Sequence, residues 1–260
     1  MTFHYSLHDI VCALQDLGLK KGDVVFSHSN VGFLGRPENG LTAQAVFNTI
    51  LQAFLKVIGD EGTLIVPTFT FSFARNEVYD PDHTPSNCGV FAELLRKLPS
   101  AYRSHDPCFS VAAVGARAVE LTQNAPINSY GPDSFFDRLY KANGTICNIN
   151  FDAASTFLHY VEKKLHVPYR ADKTFSGIFQ KNGKKEVRLS TIYTRNFSPD
   201  FVPAYDKFSQ LAKERGFFHT AKVGRGFIGA ILTKDIFDLV KETLLTKPLF
   251  LTKAEYKNFS

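Results

Sequence analysis

Two short stretches of the chain hold side chains that could move a proton or bind an anion. In the stretch TFLHYVE, His159 and Glu162 stand three positions apart in a helical pattern, which places them about 60° apart on one helix face. A carboxylate at this spacing can hold an imidazole in one tautomer and stabilise its charged form, so that the ring accepts a proton near neutral pH. The pattern therefore predicts a general base. The alternative is a surface histidine beside a Glu162 that pairs with Lys163, Lys164 or His166.

The second stretch, RSHDPCFSVAAVG, sets a polar group directly before an apolar, strand-like run. Its polar residues are Arg103, Ser104, His105 and Asp106, and Pro107 ends the group. They could bind phosphate or pantetheine oxygens, or form a second polar wall of a catalytic site with His105 as a further proton-transfer candidate. A turn in which Ser104 and Asp106 satisfy backbone amides is the alternative.

A third group, SHSN, begins at Ser27 and is followed by Gly32 and Gly35. Glycines after a strand let backbone N–H groups approach a ligand, so this loop could cradle phosphates. The signal is weak by itself, because neither a Walker motif nor GxGxxG spacing is present.

Cysteine and metal chemistry find less support in the residue pattern. Cys108 or Cys147 could act as a nucleophile beside a histidine base, but small apolar neighbours favour buried, inert thiols. His83, His105 and His159 could ligate a metal together with aspartates, yet no HExxH or comparable ligand pair occurs. We therefore expect no metal.

The elements that must position these side chains alternate between helix and strand. Apolar strands are predicted at 23–29, 62–70, 109–114 and 144–150, and the first two end in SHSN and PTFT. Open α/β sheets bind ligands at the carboxyl ends of their strands, so these two ends point to one cleft. Apolar periodicity predicts helices at 6–17, 42–58, 91–98, 116–123, 135–140, 206–215 and 233–245, and Asp152 or Ser155 is expected to cap the helix of His159. Asn182-Gly183 between two β-rich runs predicts a hairpin, and a closing strand pair is expected at 217–223 and 227–232.

Length and composition set the broad class. A chain of 260 residues with 44% hydrophobic and 21% charged residues is expected to form a globular protein with a sizeable core. The net charge of +5 fits an anionic ligand such as a nucleotide or coenzyme but is too small and dispersed to indicate nucleic acid. The amino terminus lacks a signal-peptide pattern and no apolar run approaches the length of a membrane span, so we expect a cytoplasmic protein with no membrane partner.

Several longer motifs occur together and in order: GTLIVPTFT, DPDHTPSNCGVFAELLRKLP, RSHDPCFSVAAVG, YGPDSFFDRL and TFLHYVE. With this set the chain, from about Leu7 to about Leu245, resembles the antibiotic N-acetyltransferase family, whose best-known members are the aminoglycoside 3-N-acetyltransferases. The resemblance implies an enzyme that uses acetyl-CoA as a co-substrate. It also implies an α/β fold in which a central mixed sheet is flanked by helices, with a small subdomain that contains a β-hairpin, unlike the common GNAT fold. We accordingly expect one acetyltransferase domain over residues 1–260, with 171–200 as a β-hairpin insertion. A homodimer is a further possibility.

Carried over by motif, the family's TxxHxxE pattern implies His159 as the catalytic base and Glu162 as the residue that orients it, with His105 as a secondary candidate. The strand-end loops imply the lining of the acetyl-CoA cleft: Ser27, His28, Ser29, Asn30, Val31, Gly32, Thr68, Phe69, Thr70, Arg103, Ser104 and Ser110. The residues expected to face the acceptor are Asp80, Asn148 and Asn150. Two departures from the family pattern, TICNIN before the helix of His159 and Asn39-Gly40 after SHSN, lie near these pockets.

The expected reaction is direct acetyl transfer to a primary amine of an amino sugar. Because the chain is net basic and carries a Lys- and Arg-bearing hairpin, charge favours an anionic acceptor, such as a nucleotide-linked amino sugar made for a surface glycan or lipopolysaccharide. The alternative acceptor is an aminoglycoside, a polycationic drug. The residue pattern also leaves open a metal-dependent hydrolase, a non-catalytic CoA-binding relative, and a ping-pong route through a cysteine.

Overall fold

A seven-stranded mixed sheet forms the centre of the computed structural model, which describes residues 3–254. Its strands are β1 (Val24–Phe26), β2 (Thr63–Pro67), β3 (Tyr102–Arg103), β4 (Val111–Gly115), β5 (Thr145–Ile149), β8 (His219–Val223) and β9 (Gly226–Leu232). Their order across the sheet is β3-β4-β2-β1-β5-β9-β8. β1 runs parallel to β2 and β5, whereas the outer pairs are antiparallel. The carboxyl ends of β1, β2 and β5 therefore meet at one edge of the sheet.

Helices cover both faces of this sheet. They are α1 (Leu7–Asp16), α2 (Ala43–Ile58), α3 (Val90–Arg96), α4 (Ala118–Thr122), α5 (Phe135–Lys141), α6 (Phe157–Lys164), α7 (Asp206–Glu214) and α8 (Thr233–Thr246). Short 3-10 turns occupy Val31–Leu34, Phe73–Arg75 and Pro199–Phe201. Because helices lie on both sides, every residue of β1, β2 and β5 is buried, which explains why these strands are apolar without alternation.

The core has two layers, one on each face of the sheet. On one face, residues such as Val25 and Leu64 pack with the apolar stripes of α1 and α2. On the other face, Phe26 and Ile146 pack with α5, α6 and α8. The second layer is rich in aromatic rings and holds α6 rigidly against the sheet.

A long β-hairpin stands apart from the central sheet. β6 (Arg170–Lys181) and β7 (Lys184–Arg195) pair in register over their full length, and Asn182 and Gly183 both have positive φ, as a two-residue hairpin turn requires. Phe179 and Ile192 anchor the hairpin in the aromatic core layer. Arg170, the first residue of β6, is buried, whereas Asn182 and Gly183 at the tip are exposed.

Most predicted elements are present, with shifted ends. The hairpin is longer than the two runs that indicated it, and β3 was not predicted because it has only two residues. The predicted cap of α6 is wrong in detail: Thr156 is the N-cap residue and makes no side-chain capping bond. Ser155 Oγ accepts from the N–H of Phe157 at 3.3 Å, and Asp152 instead pairs with a lysine of α7.

Within residues 3–254, no helix has the length and apolar character that crossing a membrane requires. The expected domain, residues 1–260, includes positions 1–2 and 255–260, which lie outside the described residues. Its division into a main body and an insertion at 171–200, like the homodimer, stays a prediction.

Candidate active site

The helix that carries His159 follows directly from the carboxyl end of β5. Phe157, Tyr160 and Val161 lie fully buried on its apolar face and fix its orientation against the sheet. At its start, Thr156 Oγ1 lies 3.3 Å from Nε2 of His28, which belongs to the loop after β1. The structure therefore brings TFLHYVE and SHSN together at the edge where the parallel strands end.

Glu162 is a fully buried carboxylate at the centre of a polar network. Its Oε2 lies 2.9 Å from Nδ1 of His159 and 2.7 Å from Nε of Arg170, and its Oε1 accepts a hydrogen bond from the hydroxyl of Tyr169 at 3.0 Å. The hydroxyl of Tyr205 lies 3.1 Å from Nδ1 of His159 and accepts from Arg170 at 3.0 Å. Glu162 therefore pairs with His159 and not with the lysines that follow it on α6.

Burial and this network together set the charge of both groups. Burial opposes ionisation of Glu162, but its contacts with His159 and Arg170 outweigh that effect and hold its pKa below the usual 4.5. Burial is also the main influence on His159, whose pKa lies below 6.5 although Glu162 opposes the shift. At neutral pH the ring is therefore neutral, with Nδ1 occupied by Glu162 and Nε2 available to accept a proton. The His159 side chain is 21% exposed, so part of the ring is open to solvent.

Several buried polar atoms in this region have no hydrogen-bond partner among residues 3–254: Ser27 Oγ, His28 Nδ1, Tyr130 OH and Arg170 Nε, whose contact with Glu162 at 2.7 Å is an ion pair without hydrogen-bond geometry. Tyr130 packs edge-on against the His159 ring with the centroids 5.8 Å apart. Burial lowers the pKa of His28 to about 4, so its ring is neutral and can accept or donate a hydrogen bond. Buried polar groups without partners are costly, and a polar ligand that reached them would satisfy them.

The rest of the SHSN loop is shaped by pairing with β5. Ser29 bridges to Ile149, and the N–H of Asn30 donates to the carbonyl of Ile149 at 2.9 Å. Val31 is buried, and with Gly32 it begins the 3-10 turn. The loop therefore presents its exposed backbone around Gly32 at the same edge as His159.

Arg103 is buried and acts as a clamp within the protein. Its guanidinium donates to the carbonyls of Pro81 and Thr84 and to Thr68, through both the Thr68 carbonyl and hydroxyl. Because these contacts use the three guanidinium nitrogens, the expectation that Arg103 binds phosphate oxygens is not supported by its geometry. It joins β3 to the segment between β2 and α3 instead.

The hydroxyl groups expected to line the coenzyme cleft are also engaged internally. Ser110 donates to the Thr68 carbonyl at 2.6 Å, Thr70 donates to the Pro107 carbonyl at 2.8 Å, and Ser104 Oγ accepts from the N–H of Val111 at 3.0 Å. The other member of this stretch, Phe69, packs edge-on against Phe109. These contacts tie the end of β2 to β4, which is the work of a structural turn.

The polar stretch RSHDP divides between two environments. Asp106 accepts from the N–H groups of Cys108 and Phe109 at 2.8 and 2.9 Å, which is the capped-turn alternative. His105 Nε2 lies 3.0 Å from Nζ of Lys181 at the hairpin tip. Lys181 and Arg170 stand at opposite ends of β6, a strand of 12 residues that spans roughly 36 Å. The structure therefore does not bring His105 into the network of His159.

The three residues expected to face the acceptor are held by internal contacts as well. Asp80 accepts from the backbone of Asp82 and contacts His83. The amide of Asn148 donates to the carbonyl of Asp152 at 2.7 Å. Asn150 donates to the carbonyl of Asn30 at 2.9 Å and accepts from the N–H of Phe227 at 3.0 Å. Their polar groups position loops, so geometry does not support direct contact with an acceptor.

Sequence reasoning missed Arg170, Tyr169, Tyr130 and Tyr205. A signal for the first two exists: TFLHYVE is followed by a Tyr-Arg pair directly after Pro168, at the start of an extended run. Tyr205 stands 46 positions from His159 in an irregular segment, and no local pattern links them.

Metal and cysteine chemistry find no geometric support in the part of the chain that the structure describes. No three His, Cys, Asp or Glu side chains among residues 3–254 are grouped so as to hold a metal ion. Burial raises the pKa of Cys108 to about 11 and that of Cys147 further still, so neither thiol is poised to ionise.

Comparisons with known proteins agree with one another. The family model described as Aminoglycoside 3-N-acetyltransferase matches residues 26–245. The chain is 30% identical over 234 residues to aminoglycoside N(3)-acetyltransferase IX of Micromonospora chalcea, covering 82% of this chain and 75% of that protein. It is also 30% identical over 179 residues to aminoglycoside N(3)-acetyltransferase III of Pseudomonas aeruginosa, covering 61% of this chain and 64% of that protein.

Solved structures share the fold at lower identity. The structure of AAC-IIIb in a binary complex with CoASH superimposes with a TM-score of 0.79 at 22% identity, over 93% of this chain and 97% of that one. AAC-VIa bound to sisomicin gives 0.78 at 23% identity, over 94% and 98%. The expected fold, a central mixed sheet with flanking helices and a separate hairpin, is confirmed.

Proposed function

The chain belongs to the aminoglycoside 3-N-acetyltransferase family and is an N-acetyltransferase, and we propose that it transfers the acetyl group of acetyl-CoA to the 3-amino group of an aminoglycoside. Family membership supports the reaction class. The relatives named above support the acceptor and its position. The expectation of a nucleotide-linked amino sugar for lipopolysaccharide synthesis, which rested on net charge, finds no support in the comparisons.

The observation that carries the proposed chemistry is the contact between Nδ1 of His159 and the buried carboxylate of Glu162 at 2.9 Å. The contact supports a tautomer with the ring proton on Nδ1, in which Nε2 would accept the proton of the attacking amine. Glu162 then stabilises the imidazolium that forms. A neutral ring at neutral pH fits this task, because a protonated one could not act as a base.

The donor fits the loop at the end of β1. Acetyl-CoA supplies an activated acetyl thioester, and AAC-IIIb was solved with CoASH bound. In this chain the exposed backbone around Gly32 and the orphaned Ser27 Oγ and His28 Nδ1 would hold the coenzyme beside His159. These residues bind and orient the donor, while the proton moves to His159. We also infer that residues 1–260 act as one acetyltransferase domain, with 171–200 as its hairpin insertion.

An acceptor panel tests the proposal. The purified protein is mixed with acetyl-CoA and either sisomicin or a nucleotide-linked amino sugar, and release of the CoA thiol is followed together with NMR of the product. We expect thiol release with sisomicin and acetylation at its 3-amino group. Turnover of the nucleotide-linked sugar alone, or acetylation at another amine, would contradict the proposed acceptor.

A further inference from the structure

Arg170 forms an ion pair with Glu162 through a guanidinium that is almost completely buried. It is the first residue of β6 and directly follows Tyr169. Its Nε lies 2.7 Å from Oε2 of Glu162, with side-chain exposures of 5% and 0%. Its remaining nitrogens donate to the hydroxyl of Tyr205 at 3.0 Å and to the carbonyl of Tyr193 at 3.3 Å. The guanidinium is therefore held on three sides, by α6, by β7 and by the segment before α7.

We propose that Arg170 is a positioning residue for proton transfer: it neutralises buried Glu162 and, through Tyr205, holds the His159 ring with Nδ1 turned inward and Nε2 free. Tyr205 links the two, because its hydroxyl accepts from Arg170 and lies 3.1 Å from Nδ1 of His159. This role rests on the proposed function only in so far as His159 must act as a base; the arrangement of the ring is a property of the free protein.

The charges explain why the base needs this cation. With Glu162 ionised and Arg170 charged, the buried site is neutral as long as His159 is neutral. A proton bound by the histidine–glutamate pair makes the site positive, and the nearby guanidinium opposes that state. Without Arg170, the buried Glu162 carboxylate would lack a counter-charge. The histidine–glutamate pair would then bind a proton more readily, on either His159 or Glu162. The cation therefore keeps the base unprotonated and ready at neutral pH.

The other groups that face this pair do not supply the same charge. Phenols approach it from several elements, and burial is the main cause that raises the pKa of each, so they stay neutral: Tyr130, Tyr169, Tyr193 and Tyr205. Lys163, the next residue of α6, turns to Asp172 on β6. Asp106 approaches the Tyr130 hydroxyl from the turn before β4. The positive charge in contact with Glu162 is thus that of Arg170.

Two substitutions separate the charge of Arg170 from its shape. Arg170→Gln removes the charge, and Arg170→Lys keeps the charge but cannot bridge Glu162 and Tyr205 with one planar group. Arg195→Gln serves as the matched control, because Arg195 is paired with Arg170 across the hairpin but lies on the other strand. Melting temperatures establish that each variant is folded.

The decisive readout is the protonation of His159 in the free protein, followed by ¹⁵N NMR of labelled histidine and assigned by comparison with His159→Gln. We expect the wild-type ring to carry its proton on Nδ1. Arg170→Gln should raise the midpoint of protonation by roughly one pH unit or more, and the acid limb of kcat/KM should move up with it. Arg170→Lys should leave the midpoint near that of the wild type but lower kcat at least 10-fold, because Tyr205 and the ring lose their common support.

An unchanged His159 midpoint in folded Arg170→Gln would overturn the proposal, as would a shift of equal size in Arg195→Gln. If Arg170→Gln does not fold, Tyr205→Phe tests the same link: kcat should fall at least 5-fold without a change in melting temperature, and an unaltered kcat would contradict the role. Expected NMR shifts in a protein that acetylates no amine would refute the proposed function and leave this inference standing. An active acetyltransferase without these NMR shifts would overturn this inference and leave the proposed function standing.

Discussion

The ion pair between Glu162 and Arg170 can be tested by a double-mutant cycle on stability. Glu162→Gln leaves a buried guanidinium without its counter-charge, and Arg170→Gln leaves a buried carboxylate without its own. The side chains are 0% and 5% exposed, so water can compensate little of the remaining charge. The double variant Glu162→Gln/Arg170→Gln removes both charges and leaves two neutral amide side chains in their place.

The burial of the pair sets the expected magnitudes. Removing one partner of a buried ion pair costs about 3–5 kcal/mol, so the two single losses would sum to roughly 6–10 kcal/mol if they were independent. Because the double variant has no uncompensated charge, its loss should be smaller than that sum by about 2–3 kcal/mol. Each single variant is expected to remain folded in the cold, since domains of this kind have about 5–15 kcal/mol of stability.

Urea unfolding followed by tyrosine fluorescence measures these free energies, and the chain offers 10 Tyr and no Trp for this purpose. The four proteins are compared at the same pH, where Glu162 is ionised. A double-variant loss that equals the sum of the single losses within about 0.5 kcal/mol would mean that Glu162 and Arg170 do not interact, contrary to the ion pair.

Other predictions concern the base, the thiols and the hairpin tip. Because burial lowers the pKa of His159, kcat/KM should stay high at pH 7 and fall only as the pH drops below 6.5; a loss that begins above pH 7 in a pH–rate profile would be inconsistent with a depressed pKa. Iodoacetamide at pH 8 should leave activity unchanged, because Cys108 and Cys147 are buried and un-ionised. Inactivation in step with alkylation of these two thiols, as detected by mass spectrometry, would support the cysteine route instead. His105→Ala should keep kcat within about 3-fold of the wild type, since His105 contacts Lys181 and not the His159 network; a loss of 100-fold in steady-state assays would show that the tip does take part.

The contact between His159 and Glu162 could be predicted from sequence because it is local. His159 and Glu162 lie three positions apart, and a helical period alone brings them together. The hairpin turn at Asn182-Gly183 and the helix that follows Thr42 are local in the same sense. In each case the physical cause lies within a few neighbouring residues.

The partners of the pair could not be predicted in the same way, because the fold assembles them from distant segments. Arg170 reaches Glu162 only because β6 begins at the core, and Tyr205 arrives from a segment before α7. Arg103 and Asn150 show the same dependence on the fold: their polar groups suggested a ligand, a role that stays a prediction, and the structure shows them bonded within the chain. Arg103 is buried and donates to carbonyls of its own chain, while half-buried Asn150 donates to the Asn30 carbonyl and accepts from the N–H of Phe227. Such contacts depend on backbone positions and not on residue type.

The proposed role of His159 as the base of an acetyl transfer to an aminoglycoside is tested by comparing the wild type with His159→Gln. Thiol release from acetyl-CoA is measured with saturating sisomicin, and CoA affinity is measured separately by calorimetry. We predict that kcat falls at least about 100-fold while CoA affinity stays within a few-fold, because only the proton acceptor is removed. Near-normal turnover by His159→Gln would contradict the role of His159 as the base.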